Sequence, residues 1–340
     1  MVYIRHRFKW IVWIGALLLF FSSCIFKGEE KNAPVSNPDI SIVRFDKLLN
    51  DYVSFNSFSS LQRMNTEYPL ETKLLIEDII VLGDVSDNHI NAKLKDFFSD
   101  PILQKLMRDA LHEFQHMEDL EIQFNKAFKI LRKEVPALQT PTIYAQFSAL
   151  NESVVVADSL LGFSIDKYLG EDYSLYSRYY YEYQRRSMKR DRIVPDCLMF
   201  YLVSQYPFPL DGKRTLLDII LHYGKMHYLI ADLLDFPSQE SELGYNEQER
   251  QWCEENTKSV WEYMLHNGHL YATDPLVIRK YTKPSPYTAF FGESSPALVG
   301  IWMGTKLVSS YMEHNRHVTV KELLEATDYQ QMLVDSKFNP

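Results

Sequence analysis

From residue 40 onward, hydrophobic positions recur mainly at the three- and four-residue spacing of helices. This spacing predicts helices whose apolar stripes face a common core. The first 39 residues do not share the pattern and need a separate interpretation. The predicted helices span 45–49, 68–82, 96–131 with a candidate break at Asp100-Pro101, 215–234, 247–267, 296–311 and 321–333.

Two short runs rich in β-branched and aromatic residues predict strands at 142–147 and 154–157. Residues 148–153 are expected to close a hairpin between these strands, and Gly162 permits either a tight turn or close helix packing. The predicted fold class is α+β and mainly helical, with a small mixed or antiparallel sheet packed by helices. Short connections favour a single domain over 40–340.

The first residues have the three zones of a secretion signal: a basic end, an apolar run and small residues before a cleavage site. These zones are residues 5–9, residues 11–21, and Ser22-Ser23 directly before Cys24. The layout is a lipobox, which predicts a signal peptide over 1–23 and diacylglycerol on the Cys24 thiol. An uncleaved spanning helix is the alternative, but the apolar run is shorter than the roughly twenty residues that a bilayer requires.

Residues 24–39 are polar, contain Pro34 and Pro38 and lack periodicity, which predicts a lipidated tether. The membrane is then the first partner, reached through lipid on Cys24. The predicted location is the cell envelope, at the outer membrane, with its periplasmic and surface faces both open. The acidic residues within 27–31 fit a sorting address or a solvated tether equally well.

Composition narrows the classes of function. The net charge of −9 argues against nucleic acid as a partner, because binding phosphate needs a basic face. The 22 Tyr and 20 Phe predict a packed globule with amphipathic aromatic rings near its surface. Cys197 and Cys253 are too few for a disulfide framework; one bridge remains open, although small buried hydrophobes are more typical. No cofactor is predicted.

Residues 112–116 read His-Glu-Phe-Gln-His, the helical motif in which two His bind zinc and a Glu acts on water. Glu134 is a candidate third ligand. On a helical wheel, apolar neighbours cluster around Phe114, whereas His112 and His116 lie about 160° away on either side. The pair therefore points to solvent, and no metal site is predicted. A membrane-anchored zinc metallopeptidase using His112, Glu113 and His116 is the first alternative function.

The other histidines do not form ligand pairs. His222 and His227 lie about 140° apart on one helix, so we expect a hydrogen-bonded core or interface position for each. His266 and His269 flank Asn267-Gly268 and fit a helix end. No Gly-rich phosphate loop, nucleophile elbow or Cys/His nucleophile is present in the sequence. The chain is therefore predicted to be non-catalytic.

The middle and C-terminal parts of the chain contain a series of distinctive short blocks. They are residues 158–162, 168–170, 185–188, 193–196, 215–218, 223–225, 245–246, 251–254, Trp261, 295–296, 300–304, Val308 and 311–312. Together these blocks resemble the gliding motility lipoprotein GldB family of Bacteroidetes-type bacteria. The family's Ser-Pro-Gly-Arg block continues here beyond Ser295-Pro296 with Ala297 and Leu298, which removes its positive charge.

The resemblance implies a lipid-anchored envelope protein that supports gliding motility or the associated secretion machinery. Families of this kind also look distantly similar to zinc-metallopeptidase folds, which implies a degenerate core of that type. The following helix of such a core would be 215–234. Residues 193–205, which would supply the metal motif, contain no His or Glu, so the resemblance implies that the metal site has been lost.

A protein without a catalytic constellation is expected to act through contacts with envelope proteins. Tyr-rich and Arg-rich sequence at 176–192 has the composition of binding hot spots. The candidate interaction surface is formed by Tyr183, Arg185, Arg186, Lys189 and Arg190. A helix with its Tyr rings on the core and a solvated basic face explains the same composition. A ligand-binding lipoprotein with an aromatic pocket is the second alternative, and the sequence does not locate that pocket.

Overall fold

The computed structural model of the chain describes residues 40–209 and 214–340. Helices dominate these residues and surround one small sheet, which confirms the mainly helical α+β class. A wider helical turn, Leu74–Ile79, continues the third helix. The helices are α1 (Phe45–Phe55), α2 (Phe58–Thr66), α3 (Pro69–Lys73), α4 (Ile90–Phe97), α5 (Pro101–Glu113), α6 (Glu118–Glu134), α7 (Glu182–Arg185), α8 (Ile193–Gln205), α9 (Leu216–Leu233), α10 (Gln239–Glu242), α11 (Glu247–His266), α12 (Pro275–Thr282), α13 (Val299–His314), α14 (Val320–Glu325) and α15 (Tyr329–Ser336).

The sheet is mixed, with the strand order β1-β2-β4-β3. Its strands are β1 (Val43–Arg44), β2 (Thr142–Gln146), β3 (Val154–Ala157) and β4 (Leu160–Ser164). β1 and β4 both pair with β2 in parallel, whereas β3 pairs with β4 in antiparallel fashion. The predicted hairpin between 142–147 and 154–157 is therefore wrong, because β4 lies between those strands.

The hairpin forms instead between β3 and β4, around Asp158, whose φ of 35° lies in the left-handed region. β4 is not predicted from the sequence, because a glycine such as Gly162 is more typical of a turn than of a strand interior. In the structure, Gly162 is opposite Tyr144, and a Cβ on it would lie 2.3 Å from the tyrosine ring. The glycine is needed inside the strand because an aromatic ring covers it.

Capping residues set several helix boundaries. The predicted break at Asp100-Pro101 is confirmed, because the Asp100 carboxylate accepts the first free N–H groups of α5. A second break, at 114–117, separates α5 from α6, so a continuous helix to residue 131 is wrong. The predicted helix 321–333 is also two helices, and Asp328 caps the second of them.

The largest contact between helices joins α9 and α13. Gly224 and Gly304 lie at this contact, and a Cβ on Gly304 would be 2.0 Å from the carbonyl oxygen of Ile220. The two backbones therefore approach more closely than any side chain at residue 304 would permit. Cys197 and Cys253 are buried free thiols in two different parts of the core. Within the described ranges, no helix has the length and apolar character to cross a membrane.

Candidate functional site

The His-Glu-Phe-Gln-His motif lies at the end of a helix rather than within one. α5 ends at Glu113, and Phe114 turns into the core. His112, Glu113 and His116 are not buried, and the His116 ring lies 3.6 Å from the carboxylate of Glu118. The two His therefore do not occupy consecutive turns of one helix facing a cleft.

Arg190 fixes the bend that separates the two histidines. Its guanidinium donates to both carboxylate oxygens of Asp119 and to the carbonyl of His116 at 2.7 Å. It also lies over the Phe114 ring, 5.0 Å from the ring centre. Arg190 also donates to the carbonyl of Glu113, the last residue of α5, at 3.4 Å. It therefore satisfies carbonyls in the turn between α5 and α6, and this predicted interaction residue is engaged within the chain.

The Tyr-rich segment 173–192 is a series of short turns and not a continuous helix. Tyr176 is fully buried, and its hydroxyl donates to the carbonyl of Asp166 at 2.7 Å. Tyr179 and Tyr181 are instead 61% and 73% exposed, and the rings of Tyr181 and Tyr183 stack with their centres 5.8 Å apart. The segment thus presents aromatic rings both to the core and to solvent.

The other residues of the predicted interaction surface are partly exposed. Arg186 donates to both oxygens of Glu249, at 2.8 and 2.6 Å, and so joins this segment to α11. Arg185 donates to the carbonyl of Glu171 at 3.0 Å. The Lys189 amine lies 3.6 Å from the Asp191 carboxylate.

Beside this segment lies a cleft of about 250 Å³, which we name the Asp196 cleft. A second hollow of about 350 Å³ shares Arg186, Lys189 and Arg192 with it. The residues that line the Asp196 cleft are Tyr183, Arg186, Ser187, Lys189, Arg192, Asp196, His227, Leu243, Gly244, Tyr245, Glu249, Pro284, Ser285, Ala297 and Leu298.

Asp196 lies in the first turn of α8 and presents its carboxylate to the cleft. It accepts a hydrogen bond from the Tyr168 hydroxyl at 3.0 Å, and Arg192 lies 3.5 Å from its other oxygen. Burial raises the pKa of Asp196 to about 6, although Arg192 and Tyr168 both oppose the rise. A carboxyl group that titrates near neutral pH in a cleft is typical of functional sites.

His227 faces the same cleft from α9. Its Nδ1 atom lies 2.7 Å from the buried carboxylate of Glu242, which orients the ring. Arg192 lies 3.8 Å from another oxygen of Glu242 and also donates to its backbone carbonyl. An acid, an imidazole and a guanidinium therefore converge here, and this network can bind and orient a polar ligand.

Two other titratable side chains of α9 belong to the core. Nδ1 of buried His222 lies 2.9 Å from the Tyr329 hydroxyl, and burial lowers the pKa of His222 to about 4. Lys225 donates to the carbonyls of Leu324 and Ala326, and burial lowers its pKa to about 8. The expectation that His222 and His227 are separate hydrogen-bonded residues is confirmed.

The described residues hold no cluster of three or more His, Cys, Asp or Glu side chains placed to bind a metal ion. In the sequence, Asp196 stands out only as part of a family block, and no pattern singles out Glu242. His227 and Glu242 are fifteen residues apart and lie on two different helices, so their spacing matches no helical or strand period and leaves no local signal. Only the packing of α10 against α9 brings the two together.

Comparison with known proteins identifies one family. The family model described as gliding motility protein GldB matches residues 28–340. Neither a curated protein nor a solved structure matches the chain.

Proposed function

This chain belongs to the GldB family of gliding motility proteins, and we propose that it acts as a lipid-anchored, non-catalytic protein of the bacterial envelope. Its role is to support gliding, or the secretion machinery associated with gliding, by contacts with other envelope proteins. The observation that carries this proposal is the family match, which covers nearly the whole chain after the signal and lipobox region.

The anchor is Cys24, which lies outside the described residues. The basic, apolar and small-residue zones before it support cleavage at this cysteine and attachment of diacylglycerol. The intact mass of the chain extracted from membranes tests this step. A chain that begins at Cys24 and carries lipid supports the anchor, and a chain that retains residues 1–23 contradicts it.

The surface for protein contacts comprises Tyr183, Arg185, Arg186, Lys189 and Arg190, extended by the exposed rings of Tyr179 and Tyr181. Exposed tyrosines beside arginines are enriched in interfaces because they supply apolar area and hydrogen bonds together. Arg186 and Arg190 already pair with Glu249 and Asp119, so they hold this surface in shape. Arg185 and the exposed rings are then its readiest points of contact.

The interface is tested by recovering partners from gliding cells after cross-linking. Tyr179→Ala with Tyr181→Ala, and separately Arg185→Glu, should reduce recovery of envelope proteins severalfold. Phe200→Ala is the matched control, because Phe200 is also an exposed aromatic residue but lies on α8. Arg185→Glu with Arg186→Glu reverses both charges at once. Unchanged recovery in all these variants would overturn the interface.

The Asp196 cleft favours a second candidate, a lipoprotein that binds a small polar ligand. The supporting observation is the convergence of Asp196, His227 and Arg192 in one cleft. Native mass spectrometry of the chain purified from its own cells tests for such a ligand. The wild-type chain should carry added mass that Asp196→Asn reduces, and no added mass in either chain counts against a tightly bound ligand.

A further inference from the structure

A second surface lies along α12. It contains an open groove of about 720 Å³ whose lining includes Ile219 and Ile278. Unlike the Asp196 cleft, this groove is lined by the basic residues Arg214, Arg279 and Lys283, without acidic ones among its described lining residues. This is a local concentration of positive charge on a chain whose net charge is −9.

The packing of α12 explains which side chains it exposes. Tyr281 is fully buried, with its Cβ so near Gly300 that no side chain would fit there. The opposite side carries Leu276, which is 70% exposed, and the cations Arg279 and Lys280 follow toward the C-terminal end. The helix is therefore short and amphipathic, with an exposed side that combines apolar and cationic groups.

Neighbouring residues share this combination. Tyr271, four residues before α12 begins, is 52% exposed, and the Lys280 amine lies 4.9 Å from the centre of the Phe290 ring. Asp274, the exposed cap of α12, is the one acidic residue between Tyr271 and Lys283, where three cations outnumber it. Neither Arg279 nor Lys283 forms an ion pair with any residue of the described ranges. We name five residues the α12 face: Tyr271, Leu276, Arg279, Lys280 and Lys283.

We propose that the α12 face docks on the negatively charged surface of the membrane to which the lipid anchor attaches the protein. The inference rests on the anchor of the proposed function, because a tethered domain meets that surface at high local concentration. Cations are attracted to anionic headgroups, and Leu and Tyr side chains insert at the boundary between headgroups and acyl chains.

Other occupants fit the α12 face less well. A second copy of the chain would place like charges against each other across a symmetric contact. An acidic protein would match the cations but would need its own apolar patch for Leu276 and Tyr271. An anionic bilayer supplies both the charge and the apolar layer.

The experiment uses the full chain purified with its lipid and reconstituted into vesicles. An environment-sensitive fluorophore on Leu276→Cys reports contact with lipids that carry a brominated quencher. Cys197 and Cys253 are buried, so the label goes to the introduced thiol. Vesicles contain phosphatidylcholine alone or phosphatidylcholine mixed with phosphatidylglycerol. Quenching should be severalfold greater with phosphatidylglycerol and should fall at high salt, because salt screens the attraction.

Two matched controls test whether lipid contact is specific to the α12 face. A label on Ile122→Cys, which is 69% exposed on α6, should respond little to either lipid. Arg279→Glu with Lys283→Glu should bring quenching at residue 276 to the phosphatidylcholine level, whereas Arg108→Glu with Lys129→Glu should not. Absent or lipid-independent quenching at residue 276 overturns the proposal, as does equal quenching at residue 122.

The remaining outcomes are also distinguishable. A fluorescence change that depends on protein concentration without lipid identifies a second copy as the occupant and overturns the proposal. The intact mass, measured before reconstitution, tests the anchor separately. If Cys24 carries no lipid, Cys24→Ser is introduced before labelling so that residue 276 carries the only reactive thiol. Vesicles are then added to the labelled chain, and phosphatidylglycerol-dependent quenching supports the α12 face whereas its absence overturns the proposal.

Discussion

Asp196 links the chemistry of the cleft to the stability of the fold. Because its pKa is about 6 when folded and about 4 when unfolded, the folded chain holds the proton more tightly. Its contribution to stability is complete below pH 4 and is lost as the pH rises through 6. A group that weakens the fold at neutral pH is typical of a functional position.

Asp196→Asn should therefore raise the free energy of unfolding by about 1–2 kcal/mol at pH 8 and change it little at pH 4. The amide is always neutral and can still accept the bond from Tyr168. Urea denaturation at the two pH values measures the difference. Asp191→Asn, at an exposed position, is the control. An equal effect of Asp196→Asn at both pH values would show that burial of the charge does not destabilise the fold.

Glu240 has the opposite dependence on pH. Burial alone would raise its pKa, but hydrogen bonds from Lys306 and Trp302 lower it to about 2. The stability it contributes is therefore present above pH 4.5 and is lost as the pH falls toward 2. Glu240→Gln should cost about 2 kcal/mol at pH 7 and almost nothing near pH 2, as measured by denaturant titration. A constant cost would show that charge is not involved.

His112 and His116 give a prediction about metal content. Both side chains are exposed and α5 ends at Glu113, so the described residues do not enclose the pair as a catalytic zinc site requires. The chain purified without chelator should hold less than about a tenth of an equivalent of zinc. His112→Ala with His116→Ala should not change that value. One equivalent of zinc that is absent from the variant would support the zinc peptidase instead.

Helices with strong periodicity and caps could be predicted from sequence, as α9 and α11 show. Their N-terminal ends are set locally by Thr215 and Asn246, each of whose side chains accepts one free N–H group of the first turn. The order of the strands could not be predicted, because β4 becomes a strand only when Tyr144 covers Gly162. The turns of 173–192 likewise depend on distant partners such as Glu249 and Asp119.

The crossing of α9 and α13 gives a sharp test of packing. Gly304→Ala places a methyl group where the Ile220 carbonyl lies, so the helices must separate. The expected loss is at least about 2 kcal/mol, seen as a lower urea midpoint. Ser309→Ala, on the same helix but partly exposed, should change stability by no more than about 0.5 kcal/mol. Similar effects of the two substitutions would refute the close contact.

The family match, the core and the candidate surfaces are consistent with one arrangement of the chain. The Asp196 cleft is lined by residues from blocks that carry the family resemblance, including Arg186, Ser187 and Tyr245. Sequence alone could identify those blocks but not their convergence, because about sixty positions separate Ser187 from Tyr245. The fold therefore brings residues of several family blocks together in the Asp196 cleft. The proposed lipid anchor would keep the domain that carries this cleft at the membrane.

Gliding itself tests the central claim most directly. In a gliding bacterium that lacks its own family member, colony spreading is measured after expression of the wild-type chain or of Cys24→Ala, at equal protein levels. We predict that the wild-type chain restores spreading and that Cys24→Ala does not, because the unanchored domain leaves its envelope partners. Full restoration by Cys24→Ala, or no restoration by the wild-type chain, would contradict a lipid-anchored role in gliding.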